Sequence, residues 1–267
     1  MTLGRPGMAN ANDCAQVKTS AESVALYEKG CAGGDATGCF NASVAYFCAS
    51  GTAHDLKKAA LLAASACENG LTASCANAGL LLQGAADGPP ADLPRAERLL
   101  DRGCKAGEVA SCNNLGILWM QPGPQQNVKR ALDLFEKLCA QNNIISCGNA
   151  SILLMQGGDG IPLNPRRAVL LGTRACDADN SMGCNVVAAM SIKGEGGLPV
   201  SPDRARKLFA KACGLSDGAG CANLGSAYAG GVGGPVEMDK ARDAFKKGCD
   251  LGNAYSCTSL GSLLAPP

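Results

Sequence analysis

Lys211-Ala-Cys-Gly-Leu-Ser-Asp-Gly-Ala-Gly-Cys221-Ala-Asn-Leu-Gly225 is the stretch on which the fold turns, because it sets two cysteines eight residues apart in a pattern that recurs along the whole chain. The pairs are Cys31 with Cys39, Cys67 with Cys75, Cys104 with Cys112, Cys139 with Cys147, Cys176 with Cys184, Cys213 with Cys221 and Cys249 with Cys257. Successive first members stand 36, 37, 35, 37, 37 and 36 residues apart, the period of a helical-hairpin repeat array.

Aligning the repeats on the first cysteine exposes further columns. Twelve residues upstream stand Thr19, Asp55, Asp92, Asn127, Asn164, Ser201 and, as the exception, Glu237. Six of these carry a short side-chain oxygen suited to an N-cap, and Pro165 and Pro202 follow directly at the first helical position. A helix, here called B, starts at this column. Ala59, Ala96, Ala131, Ala168, Ala205 and Ala241 recur eight residues before the cysteine. A larger apolar column, Leu26, Leu62, Leu99, Leu134, Leu171, Leu208 and Ala244, follows three residues later on the same stripe. The basic residue before each Ala (Lys58, Arg95, Arg130, Arg167, Arg204, Lys240) lies about 100° around the helix and reads as solvated.

A second helix, A, begins near the second cysteine of each pair. Its fourth position beyond that cysteine is always small (Ser43, Gly79, Gly116, Ser151, Ala188, Gly225, Gly261), a column that lets a neighbouring helix approach closely. Gly- and Pro-rich stretches such as 157–162, 194–199 and 230–235 then turn the chain back into the next B helix.

On one continuous helix, cysteines eight apart would be separated by about 12 Å, too far for a disulfide. The intervening Glu68-Asn69-Gly70, Lys105-Ala106-Gly107 and Gln141-Asn142-Asn143 are helix-ending sequences that reverse the chain and bring the sulfurs together. Each bond then ties the end of one B helix to the start of the next A helix. Zinc sites use closer ligand spacing, and a thioredoxin-like redox site needs a C-x-x-C that this chain lacks, so the pairs read as structural disulfides. The two remaining cysteines, Cys14 and Cys48, fall at adjoining ends of antiparallel helices and are expected to form an eighth bond.

Composition narrows the function. The 267 residues hold 16 Cys and 35 Gly but only 4% aromatic residues, unusual for one ordinary core. With 24 basic and 23 acidic residues the net charge is +1, leaving no basic field for nucleic acid. No apolar run approaches the roughly 18 residues needed to span a bilayer. His54, the one histidine, stands beside Asp55 and reads as an exposed residue at a helix start.

The segments 211–225 and Lys247-Gly-Cys-Asp-Leu-Gly-Asn-Ala-Tyr-Ser-Cys257 resemble disulfide-rich Sel1-like repeats of the Helicobacter cysteine-rich protein family, over about residues 15 to 264. The resemblance implies an all-α, right-handed α/α superhelical solenoid related to tetratricopeptide repeats, secreted or periplasmic, with helix A lining a concave surface. The expected organisation is an N-terminal segment, 1–18, partly disordered, followed by one solenoid over 19–267. Within it stand a leading helix at 19–32, repeats at about 37–69, 73–106, 110–141, 145–178, 182–215 and 219–251, and a capping helix at 255–265.

Two residues past the second cysteine stand Asn41, Asn77, Asn114, Asn149 and Asn223, with Val186 breaking the series beside Asn185. An amide offers one donor and one acceptor, the complement of a peptide backbone, and in tetratricopeptide-like domains helix-A asparagines often hold one. Hydrogen bonding between adjacent hairpins explains the column equally well. Five residues past that cysteine, Val44, Leu80, Ile117, Ile152, Ala189, Ser226 and Ser262 lie near the same face. Trp119 reads either as a ligand anchor or as a packed side chain.

The leading expectation is a non-enzymatic, monomeric scaffold that binds a protein or peptide, with no cofactor and no metal. The resemblance also implies a rival, a penicillin-binding or weakly β-lactamase-like protein, but the chain has no S-x-x-K and Lys18-Thr19-Ser20 only faintly echoes K-T-G. A haem- or metal-handling assembly factor is the third reading, for which Met120, Met155, Met190 and Met238 are too irregularly placed. Disulfides require an oxidising compartment, yet Met1–Asp13 shows no apolar h-region; the periplasm or cell exterior is expected, with the mitochondrial intermembrane space as alternative.

Overall fold

The computed structural model describes Cys14 and residues 17–84, 87–158 and 160–264, so most of the 1–18 segment and the last three residues lie outside the described residues. Fourteen helices and no strand occur among the described residues, following one another as helical hairpins. The B helices are α1 (Ala21–Ala32), α3 (Leu56–Glu68), α5 (Leu93–Lys105), α7 (Val128–Ala140), α9 (Pro165–Asp177), α11 (Pro202–Gly214) and α13 (Met238–Asp250). The A helices are α2 (Ala36–Cys48), α4 (Ala73–Leu81), α6 (Val109–Met120), α8 (Ile144–Gln156), α10 (Ser181–Lys193), α12 (Gly218–Ala229) and α14 (Ala254–Leu264). They fall into two compact units, residues 5–131 and 132–267.

One turn geometry is used seven times. Every B helix ends one residue after its cysteine, and the residue two further on is left-handed: Gly34, Gly70, Gly107, Asn142, Asp179, Ser216 and Gly252. The next N–H then bonds a carbonyl five residues back, as in Asp35 to Gly30 (3.0 Å), Glu108 to Gly103 (2.9 Å) and Asp217 to Ala212 (3.2 Å), closing the helix end with a Schellman motif. The same residue caps the following A helix with its side chain. Asp35 accepts from Thr37 and Gly38, Glu108 from Ala110 and Ser111, Asn143 from Ser146, Asn180 from Gly183, Asp217 from Ala219 and Gly220, and Asn253 from Ser256. Leu71 holds this position before α4, which starts without a side-chain cap and is the shortest A helix.

That reversal sets the cysteines face to face. Cys31 is bonded to Cys39, Cys67 to Cys75, Cys104 to Cys112, Cys139 to Cys147, Cys176 to Cys184, Cys213 to Cys221 and Cys249 to Cys257, with Cα atoms 4.4 to 4.9 Å apart. Cys14 is bonded to Cys48 at 5.2 Å. The second cysteine of a pair lies inside the first turn of its A helix rather than at the helix start. The helix starts two or three residues earlier, at Ala36 for Cys39, Ala73 for Cys75, Val109 for Cys112, Ile144 for Cys147 and Ser181 for Cys184. Those five cysteines and Cys221 are buried, whereas Cys257 in the last A helix is exposed, so the bridges are part of the interhelical core in every hairpin but the last. Closing each eight-residue loop contributes on the order of 2.5 kcal/mol by the chain-entropy account.

At the other end of each hairpin, the backbone N–H of the B-helix cap returns to the end of the preceding A helix: Asp55 to Tyr46, Asp92 to Leu82, Asn127 to Trp119, Asn164 to Leu154, Ser201 to Ser191 and Glu237 to Tyr228. The side chains of Asp55, Asp92, Asn127 and Asn164 also cap their helices. In the first helix the cap is Ser20, not Thr19. The Thr19 N–H is drawn to the Ser50 hydroxyl (2.8 Å), while Ser20 Oγ accepts from Ser23 N–H (3.1 Å). Ser201 makes no side-chain cap bond, and Glu237 is engaged elsewhere.

Small residues set the packing in each unit. In residues 5–131, Ser43 donates to the Ala59 carbonyl at 2.8 Å, and Gly79 lies directly under the Leu100 side chain. In residues 132–267, a Cβ on Gly225 would stand 2.7 Å from the Phe245 ring. All six alanines of the B-helix column are fully buried. The apolar column beside them is mostly inward, with Leu99 and Ala244 buried and Leu171 and Leu208 packed against the core, but Leu26 of α1 is 63% exposed; the residues one position later, Leu100, Phe135, Phe209 and Phe245, are buried as well. The basic column is not merely solvated either. Lys58 pairs with Glu28, Arg95 with Glu68 (3.0 Å) and Arg167 with Glu136, each reaching from one B helix to the preceding one. The hydrogen bond from Lys58 holds the Glu28 carboxyl below its usual range.

Candidate functional site

The asparagine column occupies the second turn of the A helices, two residues past the second bridging cysteine. Asn41, Asn77 and Asn223 are half-buried, whereas Asn114 and Asn149 are almost fully enclosed. Both amide atoms of Asn149 are buried without a hydrogen-bond partner among the described residues. Val186 is fully buried, and the adjacent Asn185 turns its amide toward the column.

In the unit of residues 132–267 these groups form a chain. Asn185 Nδ2 donates to Asp217 Oδ2 (3.2 Å), and Asn223 Nδ2 approaches Asn185 Oδ1 at 3.5 Å. The carboxylate accepts only, so it fixes which way the Asn185 amide faces, and that fixes the Asn223 amide in turn. Asn223 then lies on a groove of about 190 Å³ whose other walls are Ile192, Phe209, Ser226, Ala227 and Val232. Ser226 comes from the column five residues past the cysteine. Its hydroxyl is 3.4 Å from the Tyr255 hydroxyl, and hydrogen bonds from Ser226 and Ser259 hold the Tyr255 phenol below its usual range.

Asp217, Phe209 and Tyr255 were not among the residues expected here. Asp217 belongs to a column four residues before the second cysteine (Asp35, Glu108, Asn143, Asn180, Asp217, Asn253), a regularity present in the sequence. Trp119 is packed: its indole donates to Glu97 (2.8 Å) and the Arg130 guanidinium lies 4.0 Å above its ring. His54 is exposed, with Phe47 as its ring neighbour at 6.5 Å. Among the described residues, no three His, Cys, Asp or Glu side chains converge as a metal-binding set, and no helix is long and apolar enough to cross a membrane.

Comparison with known structures finds the same fold in a Sel1 repeat protein from Oxalobacter formigenes (TM-score 0.70, 18% identity, covering 91% of this chain and 97% of that one). It also finds it in c5321, a protective antigen present in uropathogenic Escherichia coli strains (TM-score 0.67, 20% identity, covering 90% of this chain). The chain spans about half the length of the latter, 51%. Cysteine-rich protein B of Helicobacter pylori also matches, at 24% identity over 52% of this chain and 98% of that one, with a TM-score of 0.40. A search of curated proteins finds no match. The Sel1 repeat family profile matches residues 36–71, 72–108, 109–143, 147–180, 181–217 and 218–253. With six consecutive matches covering most of its length, the chain belongs to the Sel1 repeat family.

Proposed function

We propose that the protein is a non-enzymatic adaptor that holds an extended peptide or protein segment against its A helices, outside the cytoplasm in the periplasm or at the cell exterior. Sel1 repeats typically form scaffolds that mediate protein interactions, and eight disulfides suit an oxidising compartment. The observation that carries the reading is the groove at Asn223. An amide with a fixed orientation stands at the edge of an apolar cleft formed by Ile192, Phe209, Ala227 and Val232, which suits backbone hydrogen bonding beside side-chain burial.

The test is a random-peptide display selection on the immobilised, oxidised protein, run in parallel on an Asn223→Ala variant. The reading expects families of peptides recovered by the parent and lost by the variant. Equal recovery by both removes the asparagine column from the binding surface.

A further inference from the structure

A second surface lies on a B helix, away from the asparagine column. Arg166, Val169, Leu170, Thr173, Arg174 and Asp177 fall three and four residues apart on α9 and so share one face. Together with Ile144 they line a shallow groove of about 780 Å³.

The face departs from its own repeat. At the position of Leu170, α5, α7, α11 and α13 carry Arg98, Asp133, Lys207 and Asp243; α1 and α3 carry Ala25 and Leu61. At that of Val169 stand Glu97, Arg242 and the buried Arg206, with Val24, Ala60 and Leu132 in the other repeats; at that of Thr173 stand Glu28, Asp101, Glu136 and Lys246, with Ala64 and Ala210 in the others. Where four of the B helices carry charge at the Leu170 position, α9 turns out a leucine that is 67% exposed, and α3 one that is 56% exposed. Contiguous exposed apolar surface with a polar rim is a mark of an interaction site.

The rim states the charge of the partner. Arg166 and Arg174 stand about 12 Å apart along the helix, one on each side of Leu170. Neither has a carboxylate at ion-pair distance among the described residues; Arg174 instead donates to the amide oxygen of Asn142. Their neighbours in the same unit are neutralised, Arg167 by Glu136 and Lys211 by Asp179. Asp177 lies one turn beyond Arg174 at the end of α9, so the rim carries two arginines flanking Leu170 and one carboxylate at its far end.

We propose that this face docks an acidic amphipathic segment of another protein, with a large apolar side chain seated on Val169 and Leu170. Its carboxylates engage the Arg166 and Arg174 guanidinium groups, whose planar donor forks match them. On a helical partner the two carboxylates are about eight residues apart, the same spacing as the arginines.

The probe is a synthetic helical peptide carrying Leu midway between two Glu eight residues apart, titrated into the oxidised protein by calorimetry at low and high salt. Its twin carries Gln in place of both Glu. The expected result is saturable binding that weakens roughly tenfold for the twin, for the double variant Arg166→Ala with Arg174→Ala and for Leu170→Asp, and that falls with salt. All three side chains are exposed, and unchanged melting shows that the variants fold. Asn223→Ala leaves this binding intact, which separates the surface from the proposed peptide groove. No saturable binding, equal binding of the twin, equal binding by the variants, or preference for a Lys-bearing peptide overturns the proposal.

Discussion

Arg206 Nη1 lies 3.2 Å from Glu237 Oε2, and this contact accounts for the one glutamate in a column of short capping residues. Arg206 is 9% exposed; its guanidinium also donates to the carbonyls of Val232, Ala227 and Pro235, and it stacks 4.9 Å from the Tyr228 ring. The loop between α12 and α13 is therefore built around one cation. Glu237 turns to that cation and to the Lys240 side chain rather than capping the backbone of its own helix.

Arg206→Met is expected to destabilise the protein by about 2–3 kcal/mol, because three carbonyls and a carboxylate lose a charged donor. Arg206→Lys keeps the charge without the fork and should lose most of the same stability. Urea denaturation of the oxidised variants measures both, and a Lys variant as stable as the parent would show that charge alone suffices.

Gly225 and Gly261 occupy the same repeat position with opposite surroundings. A methyl group on Gly225 would stand 2.7 Å from the Phe245 ring, whereas one on Gly261 meets nothing within 4 Å. Gly225→Ala should therefore cost about 1–3 kcal/mol by overpacking. Gly261→Ala should gain up to about 1 kcal/mol from helix propensity. Thermal melting of the pair decides, and equal effects would contradict the packing assigned to this column.

Asn149 is fully buried with neither amide atom paired among the described residues. An apolar side chain of similar shape removes that desolvation cost, so Asn149→Leu should raise stability by about 1–3 kcal/mol. A loss of similar size would mean that the amide is satisfied by enclosed water.

Ser216 adopts a φ of 60° at the position where four of the seven turns use glycine. Ser216→Gly relieves the crowding of Cβ and should stabilise by about 0.5–1 kcal/mol, measured as an upward shift in melting temperature. Ser216→Val should move it in the opposite direction.

What could be read in the sequence was what depends on neighbours along the chain. The repeat period, the glycine at Gly70 or Gly107 and the caps at Asp92 or Asn164 involve a side chain and its own backbone within a few residues. The reversal that joins Cys67 to Cys75 or Cys139 to Cys147 was equally plain. What could not be read depends on partners brought close by folding. Thr19 and Ser20 are both competent caps, and Ser50, thirty-one residues from Thr19, chooses between them. How deep one column lies also varies with the neighbours each B helix meets: Leu99 is buried, while the equivalent Leu26 is 63% exposed. The asparagine column was visible by period, but its depth was not: Asn114 and Asn149 are enclosed while Asn223 opens on a groove, a difference set by packing. Asp217 stands in a column whose capping role is local, but its bond from Asn185, thirty-two residues away, is made only by folding.

Sulfur bridges hold together hairpins whose own cores are small and aromatic-poor. Thermal melting with and without a phosphine reductant, followed by circular dichroism, tests this most directly. With several loops each contributing on the order of 2.5 kcal/mol, the account predicts that reduction lowers the midpoint by at least roughly 15 °C or abolishes cooperative melting. An unchanged midpoint after complete reduction of all eight bonds would contradict it.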